Sequence, residues 1–102
     1  MTAGDALVRL LGLGLRARRV TVGVGAVRAG LQRGSLACVV VAGDASARTR
    51  DKVVRLALAR GVPVLRGPVG ERLGAALGRS PVEAVGVSDQ ALARGLLGVT
   101  EE

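Results

Sequence analysis

Cys38-Val39-Val40-Val41-Ala42-Gly43-Asp44-Ala45-Ser46 holds a strand, a turn and a helix start in nine residues. Cys38 to Ala42 shows no alternation of polar and apolar side chains, the pattern of a central strand covered on both faces. Gly43-Asp44-Ala45 turns the chain, and Ser46 is of the type that caps a helix. A long helix then extends to about Arg60, with Val53, Val54, Leu56, Ala57 and Leu58 as its apolar residues. Gly61 ends it, and Val62-Pro63-Val64-Leu65 returns as a strand with Pro63 near its start. Val69 to Leu77 reads as a short helix stopped by Gly78, and Val82 to Val87 contains a fourth strand. Ser88 is expected to cap a last helix, Asp89 to about Leu97, which Gly98 should stop.

The N-terminal side completes the pattern. Ala6, Leu7, Leu10, Leu11 and Leu13 recur at helical spacing from Asp5 to about Arg16, and Arg16, Arg18 and Arg19 suit the negative end of that helix. Val20-Thr21-Val22 is a short β-branched strand ended by Gly23, and Val24 to Arg33 is a second helix stopped by Gly34. Gly25 and Gly30 weaken that helix by up to about 1 kcal/mol each relative to Ala, so tertiary packing must hold it. Helices and strands thus alternate with short loops, which means one sheet between two helical layers. Residues 1–102 are read as a single α/β domain.

Composition narrows the function. Fourteen Arg and one Lys against eight acidic residues give a formal net charge of +7 on 102 residues. Such a field attracts polyanions, and the guanidinium fork fits two phosphate oxygens at once. There is no Phe, Tyr or Trp. Proteins that hold single-stranded RNA or DNA commonly stack bases on aromatic rings, so a nucleic acid here would be gripped by its backbone and folded shape.

The same composition excludes several chemistries. Without His and with Cys38 as the lone cysteine, nucleophile pairs with imidazole and thiolate or imidazole zinc sites cannot be assembled within one chain. Cys38 lies in an apolar run and reads as a small core residue. Asp44, Asp51, Glu71, Glu83 and Asp89 fall on separate elements, with no two placed for acid–base work. No catalytic residue, metal site or cofactor is expected. The start of the chain lacks a signal-peptide pattern and the longest dense apolar run is far too short to span a bilayer, so a cytoplasmic protein without a membrane partner is expected.

Three local motifs have simpler explanations. Val22-Gly23-Val24-Gly25 resembles the opening of a dinucleotide fingerprint, but Arg28 stands where its third small residue should fall. In Gly43-Asp44-Ala45-Ser46 the Asp44 carboxylate would repel an anion, and Ser46 is explained as a cap. Arg48, Arg50, Lys52 and Arg55 form a basic stripe along the third helix, with Asp51 as a partial ion-pair partner. A solvated helix face is the simpler account, since such exposed pairs are worth little, and the stripe is kept as an expected second, weaker contact surface.

Several stretches, taken in order and spacing, carry a family likeness. They are Leu10-Leu11-Gly12-Leu13 with Arg18-Arg19, Val22-Gly23 running to Leu31-Gln32-Arg33-Gly34, and Val39 to Ser46. Gly61-Val62-Pro63-Val64 and Leu73-Gly74-Ala75-Ala76-Leu77-Gly78 continue it. Together these resemble the bacterial YlxQ-type branch of the L-seven-Ae ribosomal protein superfamily, over roughly Leu7 to Leu97.

The resemblance implies a three-layer α/β/α sandwich with a four-stranded mixed sheet. It also implies binding of kink-turn RNA, met by the start of the second helix and the loop before the last strand. Gly23 and Arg33 match the family pattern at that helix, whereas Gly25, Ala26 and Ala29 replace its Asn, Glu and Lys. The lost side chains would bond base edges and supply charge, and good base-edge pairs are worth on the order of 1–3 kcal/mol of discrimination each in DNA. The expected function is therefore non-catalytic, ribosome-associated binding of structured RNA, including ribosomal RNA, with relaxed kink-turn specificity. Arg18, Arg19, Arg28, Arg33 and Arg79 are the expected phosphate contacts, and Gly23 and Gly25 would admit the RNA backbone. The alternative is a protein-interaction module that keeps the fold without RNA binding, with a second copy as a partner through an apolar helix face.

Overall fold

The computed structural model describes residues 2–100. The elements in chain order are α1 (Ala3–Arg16), β1 (Val20–Val22), α2 (Val24–Arg33), β2 (Cys38–Val41) and α3 (Ala47–Ala59). They continue with β3 (Val64–Arg66), α4 (Gly70–Ala76), β4 (Ala84–Val87) and α5 (Gln90–Thr100). The four strands form one mixed sheet in the order β1-β4-β2-β3. β2 runs parallel to β3 and antiparallel to β4, with Cys38 opposite Val87 and Val41 opposite Ala84. β1 runs antiparallel to β4, with Val20 opposite Val87 and Val22 opposite Val85.

The unalternating strand lies where its composition demands. All four β2 residues are buried, between β3 and β4, and so are all four of β4. Helix packing divides the helices into two groups: α2 lies against α3, while α1 lies against α4 and α5. The core joining these layers is Leu, Val and Ala, with Leu7, Leu11, Leu31, Leu73 and Leu96 among its largest fully buried side chains.

Helix ends depart from the sequence reading in three places. Ser88 does not cap α5: its N–H and its hydroxyl both donate to the Arg19 carbonyl, at 2.9 Å and 3.1 Å. The cap is Asp89, whose carboxylate accepts the Leu92 N–H at 3.0 Å. Gly98 does not stop the helix either, which runs to Thr100. The Thr100 hydroxyl donates to the Leu96 and Leu97 carbonyls, both at 3.1 Å, and Val99 packs on the core, so an extra turn is held despite the glycine. At the other terminus α1 begins two residues early, at Ala3, because Thr2 and Asp5 form a reciprocal capping box. β3 is shifted forward from the expected Val62–Leu65, with Pro63 just before it.

Candidate nucleic-acid interface

The direction of each element fixes two ends of the sheet. Gly23 follows the last residue of β1, and its N–H donates to the Ala84 carbonyl at the start of β4, at 2.9 Å. Loop Gly78–Glu83 leads into that same β4 start. These two segments face each other across an open groove of ≈ 620 Å³, lined by Val22, Gly23 and Val24 on one side and Gly78 to Glu83 on the other.

Gly23 adopts φ +103° and ψ 153° as the N-cap of α2, a conformation that L side chains rarely adopt. It offers no side-chain acceptor to the helix. The other four helix starts each receive one. Thr2 accepts from Asp5, Ser46 from Thr49, Asp44 from the Gly70 N–H at 2.7 Å, and Asp89 from Leu92. The first turn of α2, with its positive dipole end, therefore has no side-chain partner and borders the groove.

The opposite wall is set by α4. Gly74 lies so close to the backbone of Arg79 and Ser80 that a Cβ there would overlap the Ser80 carbonyl. The Arg79 N–H donates to the Gly74 carbonyl at 2.8 Å. Arg79 is exposed on this loop. Glu83 is the groove's one carboxylate, and both its oxygens are engaged. Oε1 accepts the Ser46 N–H at 2.7 Å and Oε2 accepts the Thr49 hydroxyl at 3.2 Å, which ties the charge to the positive end of α3.

Of the residues expected to hold RNA, the structure brings Gly23 and Arg79 to the groove. Gly25 lies in the first turn of α2, exposed, with nothing within 4 Å of where its Cβ would be. Arg28 sits one turn further on and is half-buried, and its Nε is buried without an acceptor. Arg18 and Arg19 are exposed at the other end of β1, which separates them from Gly23 by roughly 10 Å of strand. Arg33 ends α2 and is exposed at that same far end, just before the chain enters β2. Sequence reasoning placed the loop Gly78-Arg79-Ser80-Pro81 at the contact but passed over Val82 and Glu83 as groove residues. The signal for Glu83 was its position just before β4, but only the fold shows that it accepts the Ser46 N–H and the Thr49 hydroxyl at the start of α3.

The other motifs resolve structurally. Asp44 is occupied at the start of α4, Ser46 caps α3, and Asp51 pairs with Arg55 Nε at 2.8 Å on the exposed side of α3. Cys38 is fully buried, and burial pushes its thiol from 9.0 up to about 11.

A sequence model of the ribosomal protein L7Ae/L30e/S12e/Gadd45 family matches residues 5–96. The chain belongs to this family. A solved structure described as a protein with unknown function from Bacillus halodurans is similar to it with a TM-score of 0.89 and 29% identity, covering 94% of this chain and 97% of that one. The Giardia lamblia 15.5kD RNA binding protein shares the fold with a TM-score of 0.75 and 23% identity, covering 97% and 85% respectively. No curated protein matches the chain. Among the described residues of this L7Ae-family chain, no helix is long and apolar enough to cross a membrane, and no group of three or more acidic or cysteine side chains is placed to hold a metal ion.

Proposed function

We propose that this protein binds structured RNA without catalysis, seating a folded RNA backbone in the groove between the start of α2 and loop Gly78–Glu83. The observation that carries the reading is the open first turn of α2 beside that groove. Its N–H groups lack a side-chain cap, Gly23 and Gly25 keep side chains out of the way, and Arg79 stands on the facing wall. Backbone N–H groups at a helix start hold phosphate whatever the local side chains are. Family membership supports the reading, as does the fold shared with a protein described as RNA binding.

Within the family we place the chain in the YlxQ-type branch, as one ribosome-associated cytoplasmic domain with ribosomal RNA as the partner. Gly25, Ala26 and Ala29 carry no group that could read a base edge, so kink-turn preference is relaxed in favour of shape. Arg18, Arg19 and Arg33 lie at the far end of the sheet and contact flanking RNA, not the groove. The alternative of a protein-interaction module needs a gathered apolar surface. The exposed large apolar residues Leu13, Leu58 and Val69 lie on α1, on α3 and before α4, so they do not favour it.

The test is a filter-binding titration across salt with a kink-turn RNA and a straight duplex of equal length. Contact with three to five phosphates gives a log–log slope of roughly −3 to −4, and relaxed reading gives a preference below about tenfold. Arg79→Glu should weaken both RNAs. A flat salt response, or an Arg79→Glu protein that binds as the parent does, would overturn the reading.

A further inference from the structure

The cationic side chains are divided unequally between the two helical layers. α2 and α3, with the α3 C-cap, carry Arg28, Arg33, Arg48, Arg50, Lys52, Arg55 and Arg60 against a single carboxylate, Asp51. α1, α4 and α5 carry Arg9, Arg16, Arg72 and Arg94 against Asp5 and Glu71, and Arg72 is ion-paired with Asp5. Of the two helical layers, the α2–α3 layer therefore carries the larger excess of positive charge.

Within that layer, all but Arg28 are exposed. Arg48, Lys52 and Arg55 recur at spacings of four and three, which sets them along one side of α3. The Arg50 guanidinium donates to the Gly43 carbonyl at 2.9 Å, and that of Arg60 donates to the Gln32 carbonyl at 3.2 Å. These bonds hold a charge near each end of α3, and Arg60 ties the helix to α2. The one ion pair, Asp51 with Arg55, is exposed and neutralises little. Arg28 is half-buried with its Nε enclosed and without a protein acceptor, so the exposed cations of α3 and Arg33 carry the surface. From Arg48 to Arg60 the basic face is roughly 18 Å long.

We propose that the α2–α3 layer is a second nucleic-acid surface, holding the phosphate backbone of a double-stranded RNA segment that continues from the one in the groove. The identity of the partner rests on the RNA-binding reading above, but the surface does not depend on the groove. A duplex fits because its bases stay stacked on each other and present only backbone, whereas an unpaired strand would need aromatic platforms that this chain lacks. Continuity fits because α2 and α3 both begin at the groove end of the sheet, with Glu83 bridging from the groove wall to Ser46.

The experiment uses the full chain and two RNAs: a stem-loop with a short stem, and the same stem-loop extended by about one helical turn. The face variant is Arg48→Gln/Lys52→Gln/Arg55→Gln, with Arg48→Lys/Arg55→Lys as a charge-keeping control and Arg79→Glu as the groove variant. The face variant should lose roughly tenfold or more on the long stem, with a salt slope shallower by about 2 to 3, and change little on the short one. The charge-keeping control should bind as the parent does. If Arg79→Glu leaves both RNAs unaffected while the face variant weakens the long stem, the surface stands and the groove reading fails. If the face variant binds both RNAs as the parent does, the surface is only a solvated helix face and the groove reading survives. If that variant keeps its RNA affinity but loses retention on anionic phospholipid vesicles, the occupant is a membrane and the proposal is overturned. A parent that binds neither RNA overturns both.

Discussion

Arg18 adopts φ +59°, the one left-handed non-glycine residue among those described. It stands just past α1, where the Arg18 N–H bonds the Leu15 carbonyl and the Arg19 N–H bonds the Gly14 carbonyl, a Schellman ending. α2, α3 and α4 end the same way with Gly34, Gly61 and Gly78 at that position. A left-handed side chain costs roughly 1–2 kcal/mol, partly offset by the entropy a glycine would lose on folding. Arg18→Gly should therefore raise stability by about 0.5–1 kcal/mol in a urea melt. If the strain is kept for a partner, the same variant should bind RNA less tightly; unchanged affinity would make Arg18 a mere oddity of the loop. Gly25 poses the converse case. Nothing lies within 4 Å of its missing Cβ, so the folded chain itself gives no reason for glycine there. Gly25→Ala should stabilise α2 by up to about 1 kcal/mol and weaken RNA binding, because a methyl group would stand between helix and backbone. A variant that gains stability and keeps full affinity would remove Gly25 from the interface.

At the scale of elements, the groove depends on how closely α4 meets the loop that follows it. A Cβ at Gly74 would overlap the Ser80 carbonyl and come within 2.9 Å of the Arg79 carbonyl. Gly74→Ala must push the loop outward, at a cost of roughly 1–3 kcal/mol. Denaturant unfolding should show that loss, and RNA affinity should fall although every cation remains. A variant that is destabilised yet binds normally would mean the loop wall is not part of the site. Element identity was largely legible before the fold was known. The unalternating Cys38–Ala42 run gave an inner strand, and glycines after α2, α3 and α4 marked their ends. The two ends of the last helix were not legible, for a physical reason. Ser88 is a good cap by type, but its hydroxyl is drawn to the Arg19 carbonyl across the β1–β4 edge, a partner distant in sequence. Gly98 is a good stop by type, but Thr100 and Val99 supply bonds and burial beyond it.

The candidate site was less legible than the fold, because it is a property of the whole molecule. Arg18 and Arg19 are close to Gly23 in sequence, yet β1 carries them to opposite ends of the sheet. Arg79 is far from Gly23 in sequence, yet the β1–β4 pairing sets them on one groove. The excess of charge on the α2–α3 side likewise exists only once the helices are sorted into layers. Cooperativity of that whole assembly can be read at one atom. Cys38 is fully buried on β2, opposite Val87, with its thiol raised from 9.0 to about 11 by burial. Only a thiolate alkylates readily, and an inner strand opens only when the sheet does. Iodoacetamide at pH 8 should therefore modify the native protein at least about a thousandfold more slowly than the denatured one, the suppression expected of a domain stable by 5 kcal/mol or more. Above pH 9.0 the unfolded chain releases the Cys38 proton while the native chain keeps it until about pH 11. The native state then binds more protons than the unfolded one, so rising pH must erode stability across that window. Cys38→Ala removes this component and should flatten the decline between pH 9 and 11 relative to the parent. If the two proteins lose stability in parallel, or if the native thiol alkylates at a rate near that of the denatured chain, Cys38 does not sit at the closed centre of the sheet.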